Sequence, residues 1–152
     1  MRTHSLVREQ TLPGPPETVF SFFAEAANLE AITPAWLRFR IVAPRPIEMA
    51  VGTEIAYRLR LHGVPVRWLT RIEAWEPGVR FVDAQVRGPY RLWHHTHEFA
   101  PDPRSPGATR MRDVVRYVLP LGAGGALARP LVAHDLRRIF DHRAARVAEL
   151  LR

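Results

Sequence analysis

The segment His94-His95-Thr96-His97 places three imidazoles within four residues. Side chains alternate along an extended strand, so His95 and His97 share one face and His94 takes the other. Two imidazoles on one face can hold a polar group, pass a proton or ligate a metal ion. Asp113 lies on a second alternating stretch, and counting back across the proline-rich loop 101–107 sets it roughly opposite His95. A buried carboxylate must be paired or hydrogen-bonded, and a histidine is the obvious partner. Three roles are open: a buried pair that orders the sheet, a contact for the polar end of a ligand, or a catalytic or metal-binding group in which one histidine is the general base or ligand. A catalytic zinc site usually has a third protein ligand; Asp113 could supply it, yet no spacing demands this, so neither a metal nor a cofactor is expected.

Asp83 and Gln85 are a second polar pair, alternating with Val82, Ala84 and Val86. If the valines turn outward, Phe81, Asp83 and Gln85 project towards the histidines. A strict two-residue turn at Gly88-Pro89 would instead bring Val82 and Ala84 to that face, and a bulge would reverse this. Gln85 is taken as inward. Tyr57, Trp68, Trp93 and Tyr117 combine an apolar body with one polar handle and suit either core or the walls of a cavity. No glycine-rich phosphate loop or nucleophile elbow occurs, and Ser5, Ser21 and Ser105, the only serines, have no triad-like setting.

The elements that position these residues follow from periodicity. His4 to Leu12 reads as a strand, ended by Pro13-Gly14-Pro15-Pro16. Val19, Phe22, Phe23 and Ala26 recur at helical spacing from Glu17 to about Ala27, with Pro16 in the first turn, and a second short helix over 28–32 ends before Pro34. The period then becomes two: Leu37, Phe39 and Ile41; Ile55 to Leu61; Val66 to Ile72; Arg80 to Arg87; Tyr90 to Phe99; and Thr109 to Leu119. His62 to Pro65, Glu76 to Gly78 and Gly88-Pro89 are turns. Gly122 to Gly125 reads as a hinge, and Pro130 as the first turn of a helix of about 22 residues, whose stripe is Val132, Leu136, Ile139, Phe140, Arg143, Val147, Leu150 and Leu151. Asp135 and Arg138 are spaced for an i,i+3 pair on its surface. Trp36 and the loop at Gly63 could guard an opening.

An antiparallel sheet with one dry face needs a cover, and only the C-terminal helix is long enough. The expectation is an α+β helix-grip fold: a curved seven-stranded antiparallel sheet wrapped around a long C-terminal helix, with two short helices after strand 1. It forms one domain over 1–152, with room for a cavity between sheet and helix.

All 22 basic residues are arginine, and the net charge is +7. Arg38, Arg40, Arg58, Arg60, Arg67, Arg71, Arg110, Arg112 and Arg116 alternate with apolar residues, so they mark the wet face of the sheet. Aromatic residues mostly take the other face, and Glu54 and Glu73 sit among the arginines, which does not make a nucleic-acid platform. An acidic protein partner on this face is a third functional reading. No cysteine is present, excluding disulfides and thiolate sites. No apolar run approaches the ~18 residues of a membrane span, and the N-terminus lacks the apolar stretch of a signal peptide. A soluble cytoplasmic protein without stable membrane insertion is expected.

The order of elements resembles the START-like (SRPBCC) superfamily, which includes START lipid-binding domains, the birch-pollen allergen family, aromatic polyketide cyclases and CoxG-like proteins. The stretches Gly88–Phe99 (GPYRLWHHTHEF), Met111–Gly122 (MRDVVRYVLPLG) and Ile139–Arg143 (IFDHR) resemble its bacterial ligand-binding members. The resemblance implies a hydrophobic small-molecule ligand in the cavity, or a cyclase or dehydratase reaction there. It carries over no universal catalytic residue. Read from the residues, the candidate ligand contacts are Tyr57, Trp68, Gln85, Trp93, His95, His97, Asp113 and Tyr117, and the candidate catalytic groups are His95, His97 and Asp113.

Overall fold

The computed structural model describes the backbone of all residues except Met1, Arg45 and Leu121, and side chains apart from these and 122–127. The chain runs β1 (His4–Pro13), α1 (Pro16–Ala24), α2 (Ala26–Ile32), a 3₁₀ turn (Ala35–Leu37), β2 (Arg40–Ile41), β3 (Glu54–Leu61), β4 (Val64–Glu76), β5 (Arg80–Arg87), β6 (Leu92–Pro101), β7 (Ala108–Val118) and α3 (Gly122–Leu150). The strands form one antiparallel sheet in the order β1-β7-β6-β5-β4-β3-β2, with α3 gripped against it. The expected helix-grip architecture is the observed one.

Sequence periodicity set the faces correctly on most strands. Met111, Asp113, Val115 and Tyr117 are all buried on β7, while Arg110 and Arg116 are exposed. Outer arginines are paired across strands: Arg71 with Glu54 at 2.9 Å, and Arg112 with Glu98 at 3.5 Å and Glu9 at 3.7 Å. The β3–β4 connection is a tight two-residue turn in which His62 and Gly63 both have positive φ, 50° and 80°. That is the backbone of a primed hairpin turn, whose twist matches the flanking strands. It is shorter than the four-residue turn read from the sequence, and β4 begins at Val64.

Several boundaries differ for identifiable reasons. Arg38 takes the left-handed conformation at φ 47°, so the strand expected from Leu37 shrinks to Arg40–Ile41. On α1 the buried face is Val19, Phe20 and Phe23; Phe22 is only partly buried, because α1 packs its Phe20 edge against Trp75, Phe81 and Phe99. The helix α3 has 29 residues and starts at Gly122, so Gly122 to Gly125 belong to it rather than to a hinge, and Pro130 lies inside it. A proline there removes one helical hydrogen bond without ending the helix, since the flanking turns retain theirs. Asp135 pairs with His62 of the β3–β4 turn at 2.7 Å rather than with Arg138, whose guanidinium covers the Trp36 ring at 4.6 Å.

The interior is divided. One apolar cluster gathers Leu12, Val19, Phe20, Phe23, Phe81, Phe99, Met111 and Val147, and another Trp93, Val115, Tyr117, Leu136 and Phe140. Along β6 the passage from Phe99 to Trp93 crosses His97 and His95, so a polar group separates the two clusters.

The connection from β5 to β6 decides what that polar group contains. Gly88 to Arg91 lie between the two strands, and the β5–β6 pairing centres on Pro89, so the turn is one residue longer than a strict two-residue turn at Gly88-Pro89. Asp83 is thereby opposite His95 and Phe81 opposite His97. A two-residue turn would shift this register by one position and exchange the faces. Both ends of the Gln85 amide lock the longer loop: Nε2–H donates to the Tyr90 carbonyl at 2.7 Å, and the Tyr90 N–H donates to Oε1 at 3.1 Å. A Cβ at Gly88 would overlap that amide. Gly88→Ala should therefore lower stability by roughly 1–3 kcal/mol, the usual cost of overpacking. Urea unfolding should show a lower midpoint with unchanged slope; an unchanged midpoint would show that the clamp does not hold the loop.

Candidate functional site

Between sheet and α3 lies a cavity of about 190 Å³. Its walls are largely apolar and aromatic, with Tyr57 and Leu59 from β3, Trp68 and Ile72 from β4, Trp93 from β6, and Leu136, Ile139 and Phe140 from α3. Asp83, His95, His97 and Arg143 also line it. A dry apolar cavity of ~150 Å³ accommodates benzene, so this space suits a ring-sized or larger apolar group.

The charged groups form one connected cluster. His95 Nε2–H donates to Asp113 Oδ1 at 2.7 Å, and His97 Nε2–H donates to Asp83 Oδ2 at 2.6 Å. His97 Nδ1 stands 3.2 Å from Asp113 Oδ1 and 3.4 Å from the Arg143 guanidinium. Asp113 and Arg143 compete for this nitrogen: a protonated Nδ1 donates to the carboxylate, and an unprotonated one accepts from the guanidinium. Arg143 approaches Asp113 Oδ1 at 3.8 Å. The two imidazoles stack with centroids 3.6 Å apart, Phe81 stacks on the other side of His97 at 3.9 Å, and Phe140 meets His95 edge-on at 5.5 Å. Packing thus leaves both rings only small rotations.

Burial penalises every charge here, and the partners decide the outcome. Burial acts upwards on Asp113, but the Arg143 charge and hydrogen bonds from both histidines outweigh it, so its carboxyl is held well below the ordinary 3.8. Burial also acts upwards on Asp83, and the His97 hydrogen bond leads the groups that bring it down. His97 would be lowered by burial, yet its hydrogen bonds to Asp113 and Asp83 raise it. His95 is lowered to about 4, by burial first and by the neighbouring His97 charge second. The cluster therefore favours two ionised carboxylates beside Arg143, holds a proton on His97 more tightly than usual and disfavours one on His95. The Tyr57 phenol is raised, chiefly by burial and further by the Asp83 charge.

Of the residues singled out from the sequence, Tyr57, Trp68, Trp93, His95 and His97 line the cavity. Asp113 does not; it lies behind the histidines, against a small cleft between β1 and α3 beside Arg8, Gln10 and Ala144. It is opposite His97 rather than His95, and reaches His95 diagonally. Gln85 does not line the cavity, because the Tyr90 backbone occupies its amide. Tyr117 is buried in the apolar cluster with Trp93 and Leu136. Trp36 also stays outside the cavity, against Arg138 and His142. Asp83, whose facing the alternation left open, is inward and lines the cavity. Arg143 was missed, although it stands as a charge in the middle of an apolar helical stripe.

A sheet closed over one long helix, with a lined cavity between them, defines the helix-grip class of ligand-cavity proteins. The chain belongs to the family described as polyketide cyclase / dehydrase and lipid transport, whose model matches residues 3–152. The fold is shared with the Zhui aromatase/cyclase of a Streptomyces species, at 13% identity and a TM-score of 0.77, covering 99% of this chain and 94% of that one. It is shared with TTHA0849 from Thermus thermophilus, at 24% identity and a TM-score of 0.66, covering 95% and 97%. A START superfamily protein from Mycobacterium smegmatis matches at 14% identity and a TM-score of 0.66, covering 97% and 99%. No curated protein matches the chain. No helix among the described residues is long and apolar enough to cross a membrane.

The cluster makes stability depend on pH in opposing ways. His97 has a raised folded value, so its stabilisation is complete below its ordinary 6.5 and is lost as pH rises through the folded value. His95 has a depressed one, so its contribution is complete above 6.5 and is lost as pH falls towards about 4. Asp113 and Asp83 contribute above the ordinary 3.8 and lose it as pH falls through their lower folded values. Thermal melts from pH 4 to 9 should show the cluster stabilising most near neutrality. His97→Gln should flatten the alkaline arm relative to the parent; parallel curves for parent and variant would refute this assignment of charge.

Proposed function

We propose that this protein binds a hydrophobic or amphipathic small molecule between sheet and α3, with the polar end of the ligand against Asp83, His95, His97 and Arg143. The observation that carries the reading is the gathering of Asp83, His95, His97 and Arg143 in a cavity whose lining is otherwise largely apolar. Apolar walls supply affinity at about 25 cal/mol per Å² of ligand surface buried, roughly 5 kcal/mol for 200 Å². The charged wall supplies orientation. Buried ion clusters add little stability over apolar side chains of equal volume, so fold stability alone does not account for this one.

A second reading, an enzyme of the cyclase or dehydratase kind, is favoured by one detail. His95 lines the cavity with Nε2 held by Asp113, while its Nδ1 stands 3.9 Å from Asp83 Oδ2, beyond hydrogen-bond reach. An unprotonated, oriented imidazole facing a ligand space is the arrangement a general base needs.

Native mass spectrometry of the purified protein should reveal a co-purifying small molecule, and anilinonaphthalene sulfonate should bind with a rise in fluorescence. Ile139→Trp, which fills the cavity from α3, should weaken dye binding about tenfold or more while preserving the fold. Equal dye affinity in parent and variant would place the dye elsewhere and remove the support for a ligand cavity. In the enzyme reading, His95→Gln lowers conversion of a bound substrate far more than it lowers its uptake.

A further inference from the structure

Asp83, His95 and His97 each present a ligand-type atom, and these atoms lie within 4.8 Å of one another. Asp83 Oδ2 is 2.6 Å from His97 Nε2 and 3.9 Å from His95 Nδ1. The opposite edges of both rings turn to a single atom, Asp113 Oδ1, at 2.7 Å from His95 Nε2 and 3.2 Å from His97 Nδ1. One carboxylate oxygen thus stands within 3.2 Å of the far nitrogen of each imidazole, while a second carboxylate faces the near edge of each.

We propose that Asp83 Oδ2, His95 Nδ1 and His97 Nε2 are the protein ligands of a divalent transition-metal ion, with Asp113 as the positioning residue behind both histidines. Metal-bound histidines almost always donate their other N–H to a carboxylate, carbonyl or water, which fixes the tautomer and the ring orientation. Here Asp113 does this for both rings at once, and Arg143, 3.8 Å away, balances its charge. With neutral imidazoles, Asp83 is then the uncompensated anion facing the near edges. Two imidazoles and one carboxylate suit zinc or ferrous iron rather than magnesium or calcium, which prefer oxygen donors.

The three ligands line the cavity while Asp113 does not, so the remaining coordination positions open onto ligand space. Zinc sits 2.0–2.2 Å from nitrogen and oxygen donors, which puts neighbouring ligand atoms roughly 3.3 Å apart. His97 Nε2 must therefore retreat slightly from Asp83, and the rings, now 26° from parallel, must rotate so that their near edges converge. Histidine χ2 has broad minima that allow this. The ion would displace the proton between His97 and Asp83 and offer a Lewis-acidic anchor to a carbonyl or hydroxyl of the bound molecule. That use rests on the ligand-binding reading above; the ion's binding does not.

Calorimetric titration of the metal-stripped full chain with Zn²⁺ should give one site per chain. Asp83→Asn should weaken it at least a hundredfold, and Asp113→Asn about 10–100-fold, the usual effect of losing a carboxylate behind a ligating histidine. Co²⁺ titrated into the parent protein tests the same assignment without any variant: the ring resonances of His95 and His97 should shift and broaden far more than those of His4, His62, His94, His134 and His142. No stoichiometric uptake, unchanged affinity in Asp83→Asn, or Co²⁺ effects confined to the other histidines would overturn the site. Uptake of anilinonaphthalene sulfonate without metal removes only this inference; uptake of metal without dye removes only the ligand cavity.

Discussion

Two carboxylates, two imidazoles and a guanidinium taken out of water must neutralise and hydrogen-bond one another, because each would cost several kcal/mol buried singly. That requirement ties together four elements. Asp83 comes from β5, His95 and His97 from β6, Asp113 from β7 and Arg143 from α3. Placing α3 across the sheet brings Arg143 within reach of Asp113, and removing α3 would leave Asp113 without the charge that most favours its ionised form. The polar cluster therefore works as a register mark for sheet and helix, in addition to whatever it binds.

The apolar clusters on either side make the same geometry rigid. Phe81, His97 and His95 are stacked in sequence, with Phe99 beyond Phe81 and Trp93 edge-on beyond His95. Aromatic packing confines both imidazoles to small rotations, so their hydrogen-bond partners are set mainly by strand register. The Gln85 clamp on Tyr90 has an importance out of proportion to its exposure, since it fixes the length of the loop that aligns Asp83 with His95.

The family and the fold define a hydrophobic-ligand or cyclase-type protein, and in the reading proposed above the charged wall supplies the polar recognition. The structural relatives are at or below 24% identity, so they carry the fold and nothing about these residues. Aliphatic and aromatic walls bind by burial, which discriminates poorly among apolar molecules of similar size. A few oriented polar groups confer the discrimination. Here they are concentrated on β5, β6 and α3, leaving β3 and β4 to shape the apolar part.

Much of the fold was legible because binary patterning is local. Alternation on β3, β4 and β7 identified the inner face, the arginines marked the outer one, and the apolar stripe on α3 supplied the cover. His95 and His97 were legible for the same reason, as was Asp113 on their side of the sheet. What local pattern could not encode was register. One residue more or less in the loop after β5 exchanges Asp83 for Val82, and alternation is equally satisfied by either. Nor could it pair Arg143 with Asp113, 30 positions earlier, because a charge inside an apolar stripe names no partner until the helix is docked. Composition and periodicity thus determined which faces are dry and which residues could do chemistry. Only the tertiary structure decided which of them meet, since a hydrogen bond is directional over 3 Å while the hydrophobic pattern that builds the sheet is not.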